Sequence, residues 1–120
     1  MPRSLPSAST LLSAVVKYLD EGLMPTLSGY HRFQTRVTVN VLNMIKRELE
    51  LGESHELAER RRLITLISHD GQIDALNSEL CDLIRADRIN LENPILRDHI
   101  RRSLEDALEI NNPKWINKQV

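Results

Sequence analysis

Arg32, Arg36, Asn40, Asn43 and Arg47 recur at three- and four-residue spacing, which at about 100° per residue places them within roughly 80° of one another on a helix. Guanidinium groups bind carboxylate or phosphate bidentately, and amides fix the orientation of what is bound. Such a row therefore suits a small anion, such as phosphate or a CoA derivative, or an acidic partner surface. A solvated face whose arginines meet acids of neighbouring helices has the same composition. On these residues alone the three readings stay open.

Glu48 sits near the middle of the other half of the same segment, among Phe33, Val37, Val41, Leu42, Met44, Ile45, Leu49 and Leu51. Further along, Arg60 falls in the same way among Leu57, Leu63, Ile64 and Ile67. With Gly52 as a turn between antiparallel helices, Glu48 lies about one turn before it and Arg60 one to two turns after, within reach of long side chains. The spacing predicts a buried or half-buried Glu48–Arg60 ion pair. Such a pair fixes register, stabilises little net and is costly to break from one side. Service of Glu48 as a general base would instead need an open cleft.

Other catalytic chemistry finds no constellation. The run His55-Glu-Leu-Ala-Glu59 fails as a zinc-protease motif, because Glu59 stands where the second histidine belongs. His31, His69 and His99 lie in separate segments, where surface or helix-end placement is the expectation. No metal site and no cofactor are expected. Cys81 lies one position off an apolar stripe and reads as a small, partly buried thiol. Gly22, Gly29, Gly52 and Gly71 each fall at a helix boundary, so no glycine-rich phosphate loop is present. Arg60-Arg-Arg62 and Arg101-Arg102 lie among acids at helical spacing and read as intrahelical pairs.

The elements that must position these residues are helices. Apolar spacing and cap residues predict five, over residues 8–21, 29–51, 54–68, 72–86 and 94–110. Gly52 closes the second, Ser54 caps the third, and Asn93 with Pro94 opens the fifth. The fourth aligns Ile73, Leu76, Leu80, Leu83 and Ile84 in one stripe. No stretch alternates apolar and polar residues as a strand does. The expectation is an all-α fold, an up-and-down antiparallel bundle of four main helices plus a fifth. A single domain over 1–120 is expected, with tails at 1–7 and 114–120 and Trp115 packing back on the bundle.

The chain of 120 residues has a formal net charge of -1 and only 3% aromatic residues. No global field holds nucleic acid or an anionic membrane, and base-stacking platforms are lacking. A helix-turn-helix without a net basic face is disfavoured. The longest early apolar run, residues 11–16, is too short for a signal-peptide core or a membrane span. With one cysteine no internal disulfide forms, and a cytoplasmic location is the simplest expectation.

Several stretches resemble a bacterial family of helical domains of unknown function. They are Pro6-Ser-Ala-Ser-Thr-Leu-Leu-Ser-Ala-Val, residues 19–25, Phe33-x-x-Arg36-Val-x-x-Asn40-x-Leu42, Arg47-Glu-Leu-Glu-Leu-Gly52, Leu76-Asn77 through Ile84-Arg85, and Ile110-x-Asn112-Pro113. The resemblance covers nearly the whole chain. Thr38 departs from it, where an alanine or short apolar residue follows Val37. Members of that family occur alone or joined to kinases similar to aminoglycoside phosphotransferases, often near acyl-CoA dehydrogenase genes. The resemblance thus implies an accessory role beside a phosphotransferase-like enzyme rather than catalysis by the chain itself, and it supplies no active site to carry over. Kinase chemistry needs a metal- and phosphate-holding constellation that this chain lacks. A homodimer is a further expectation, since helical domains of this size often complete their cores by symmetric packing.

Overall fold

The computed structural model describes residues 5–117, and among them every regular element is helical. The α-helices are α1 (Ala8–Lys17), α2 (Gly29–Ile67), α3 (Ile73–Arg85), α4 (Pro94–Asn111) and α5 (Pro113–Asn117). A π-helical turn, Tyr18–Leu23, and a 3-10 turn, Met24–Thr26, link α1 to α2. The all-α expectation holds. The extreme ends of the two expected tails, residues 1–4 and 118–120, lie outside the described residues. Contacts divide the chain into two compact units, Met1–Gly52 and Glu53–Val120.

The largest departure from the sequence reading is at Gly52. The expected second and third helices are one helix of 39 residues, so the reversal between them does not occur. A glycine ends a helix by taking a left-handed φ, yet the described positive φ values belong to Gly29, Ser68 and Asp87. Glycine inside a helix costs only about 1 kcal/mol relative to alanine. The glutamates, leucines and alanine around it, with no proline, carry the helix through.

In the first unit, Ser7 caps α1 by accepting a hydrogen bond from the Thr10 amide at 3.2 Å. Helical winding continues past Lys17 in the π turn. A Cβ on Gly22 would stand 3.2 Å from the Tyr18 ring, so the turn there favours glycine. The chain then reverses before Gly29, and Ser9 Oγ donates to Glu50 Oε1 at 2.6 Å, which sets α1 antiparallel to the first part of α2. Met24 and Val39 are the buried apolar residues described here.

The second unit holds the principal core, made of Leu63, Leu76, Leu80 and Leu96 with Ile64, Ile67, Ile73, Ile84 and Ile89 packed around them. The α3 stripe read from sequence is the one that faces inward. Ser68 ends α2 with φ 72°, and Asp87 ends α3 with φ 58°. At Asp87 the amides of Asp87 and Arg88 return to the carbonyls of Ile84 and Leu83, the paired bonds of a Schellman motif. Asn93 caps α4 as expected, accepting from the Ile95 amide at 2.9 Å. Trp115, expected to pack back, is 58% exposed in α5. A five-residue helix offers it too little surface to cover.

Candidate functional site

The sequence-predicted row lies in the first unit. Arg32, Arg36 and Asn40 are exposed, while Asn43 and Arg47 are half-buried. Arg32 approaches the carbonyl oxygens of Met24 and Leu27 at 3.5 Å each, so it braces the turn before α2. Arg47 is likewise engaged. Arg36 and Asn40 remain as the outward-facing part of the row.

Most of the apolar half of this helix is not core, although Leu42, Met44 and Leu51 are half-buried. Phe33, Val37, Val41, Ile45 and Leu49 are all exposed. Of the less exposed positions, Thr35, Val39, Leu42, Asn43, Lys46 and Arg47 form the side toward α1, and Met44 lies apart from them beside Val37. On a wheel that side is centred roughly opposite Val37 and Val41. The sequence reading placed a turn between antiparallel helices at Gly52, and α2 instead runs through that residue.

Glu48 and Arg60, expected as an ion pair, fall in different units, and each has its own surroundings there. Glu48 is exposed, and its carboxylate lies along its own helix toward Gly52. Arg60 serves the turn after α2, donating from Nη2 to Asp70 Oδ1 at 2.6 Å and from Nε to the Gly71 carbonyl at 3.0 Å. The Arg60 guanidinium, then the Gly71 amide, hold the Asp70 carboxyl below its ordinary range. Beside it, His69 bonds the Asp70 carbonyl and the Glu79 carboxylate, which raise its pKa in that order.

A second polar constellation, missed by the sequence reading, joins the end of α2 to α4 within the second unit. Arg62 donates from Nε to His99 Nδ1 at 3.0 Å and from Nη2 to Ser103 Oγ at 3.2 Å, and approaches Asp106 at 3.9 Å. His55 Nε2 lies 3.3 Å from Glu109 and 3.7 Å from Asp106. His99, expected at the surface or a helix end, is buried with 4% exposure. Burial, then the neighbouring Arg62 cation, lowers its pKa. A signal was available, since His99, Ser103 and Asp106 stand at i, i+4 and i+7 on α4, and His55 and Arg62 seven apart on α2.

The arrangement holds its members rather than freeing one to react. Arginine only donates, so His99 Nδ1 must accept, and the lone pair a base would use is occupied. His55, Asp106 and Glu109 present ligand atoms within 4.8 Å of one another and are the residues that could hold a metal ion. They fit one poorly. A metal on Nε2 would leave the proton on Nδ1, which is buried without a hydrogen-bond partner. The Arg62 guanidinium also stands beside Asp106. A pocket of about 380 Å³ opens nearby, lined by His55, Arg62, Arg101, Arg102, Glu105 and Asp106 among others. Arg101 and Arg102 are committed to Asp98 at 2.7 and 2.9 Å and lower its pKa. A second pocket, of about 280 Å³, is lined by Asn77, Ser78, Cys81, Asp82 and Arg85. Cys81 is exposed there rather than partly buried. Neither pocket includes a residue of the Arg32–Arg47 row.

Among the described residues no helix is long and apolar enough to cross a membrane. No curated protein and no solved structure is similar enough to match the chain. A family model does match, over residues 25–115, and its range takes in α2, α3 and α4. By that match the chain belongs to the family described as a domain of unknown function, DUF6285.

Proposed function

We propose that the chain is a helical protein–protein interaction module that works beside an enzyme, with its contact surface on the first part of α2. The observation that carries this reading is one helix with two exposed rows: apolar Phe33, Val37, Val41, Ile45 and Leu49, and alongside them polar Arg36 and Asn40. Contiguous exposed apolar residues rimmed by polar groups mark interaction surfaces. Arginine at such a rim engages carboxylate in two parallel hydrogen bonds.

The partner implied by the sequence resemblance is a phosphotransferase-like kinase acting in acyl-CoA-related catabolism. On this reading Arg36 takes an acidic side chain of that enzyme and Asn40 orients it. Calorimetric titration of the purified chain against the phosphotransferase-like kinases of its own genome tests this. Binding is expected, and Arg36→Ala should weaken it about tenfold or more, the size of one charge-assisted contact. A chain that binds none of these kinases overturns the docking reading. Thermal stabilisation by CoA or inorganic phosphate, lost in Arg36→Ala, would point to small-anion binding instead.

A further inference from the structure

We infer that the apolar row of α2 is closed by a second copy of this chain, packed antiparallel about a two-fold axis beside Val41. The inference rests on the reading of this helix as an interaction surface and names what covers its apolar part. The row has five positions, each four residues from the next, and it reads alike from either end. Large residues, Phe33 and Leu49, stand at the ends, with the β-branched Val37, Val41 and Ile45 between them. An antiparallel two-fold at Val41 sets Phe33 opposite Leu49 of the second copy, Val37 opposite its Ile45, and the two Val41 against each other. Such an isologous contact uses one patch twice and closes after two copies.

Positions four apart form a ridge inclined by about 26° to the helix axis, so the two ridges lie along one another when the helices cross at about 50°. α1 leaves most of this side of α2 open, because between Phe33 and Leu49 the half-buried positions other than Met44 lie on the other side. Phe33 is 62% exposed, Leu49 53%, Val41 48%, Ile45 46% and Val37 40%, with Tyr30 beside them at 69%. Together they offer on the order of 600 Å² per copy, approaching the roughly 800 Å² per partner of a standard interface.

The test uses the full chain. Light scattering should return twice the 13.8 kDa of one chain. Val41→Glu should weaken association at least about a hundredfold, because two carboxylates would be buried face to face, while circular dichroism stays helical. In a Cys81→Ser background, Val41→Cys should cross-link two copies on mild oxidation much faster than Leu104→Cys, which is exposed on α4. Should Val41→Glu lose its helicity, the cross-linking comparison decides. A mass of one chain, or cross-linking at residue 41 no faster than at residue 104, overturns the inference. Arg36→Ala should keep the doubled mass, which separates this contact from the docking of an enzyme. Kinase binding by a chain that stays monomeric would overturn the two-fold contact alone.

Discussion

Arg62 donates through Nε to Nδ1 of the buried His99 at 3.0 Å, and this one bond fixes the imidazole as neutral, with its proton on Nε2. Burial and the adjacent cation hold the His99 pKa below its ordinary 6.5. Below that pH the unfolded chain takes a proton that the folded chain refuses. Stability from this site is therefore complete above pH 6.5 and falls as the pH drops toward the lowered folded value. Urea unfolding from about pH 7.5 to about pH 5 should show the decline, and His99→Gln should flatten it. Arg62→Ala should cost about 1–3 kcal/mol, because it strips hydrogen bonds from His99 and Ser103 together.

The turn after α2 responds in the opposite sense. Hydrogen bonds to the Asp70 carbonyl and to Glu79 raise the pKa of His69 above 6.5. Its contribution is thus fully present below pH 6.5 and lost as the pH rises through the raised folded value. In His69→Gln, the pH dependence left between about pH 5 and pH 7.5 should be steeper, because the contribution opposing that of His99 is gone. The carboxyl of Asp70, held low by Arg60, contributes above pH 3.8 and is lost as the pH falls through its lowered value. Acid titration of Arg60→Ala, followed by NMR at Asp70, should move the carboxyl back toward its ordinary value.

Core and surface leucines should separate by several-fold in cost. Leu63 and Leu96 are fully buried, and Leu63→Ala or Leu96→Ala should each lose about 2–5 kcal/mol through lost transfer energy and the cavity left behind. Leu104 is 62% exposed, and Leu104→Ala should stay within about 0.5 kcal/mol. Denaturant midpoints at constant slope measure all three.

What the sequence made legible follows from how local each signal is. The Asn93–Pro94 start, the inward stripe of α3 and the helical class depend on neighbours within a turn or two, and they appear as expected. Gly52 misled because a glycine marks a helix end only if the chain needs a left-handed residue there, and the residues that took that conformation after α2 and α3 are Ser68 and Asp87. From that turn followed both the Glu48–Arg60 pair and the assignment of Phe33 to Leu49 to the core. The Arg62–His99 bond was hidden for a different reason, since its partners are 37 residues apart and meet only when α4 packs against the end of α2.

Whether the apolar half of α2 is surface or core depends on Gly52, and one substitution tests this. A turn at Gly52 would need a left-handed φ, which alanine resists, whereas a continuous helix favours alanine there. A Cβ at this position meets only the flexible end of the Glu48 side chain, at 2.8 Å, which can move aside. Equilibrium unfolding of Gly52→Ala should show a gain of about 0.5–1 kcal/mol with unchanged helicity. A loss of 1 kcal/mol or more would mean that the chain turns at Gly52 and that Phe33 to Leu49 belong to the core.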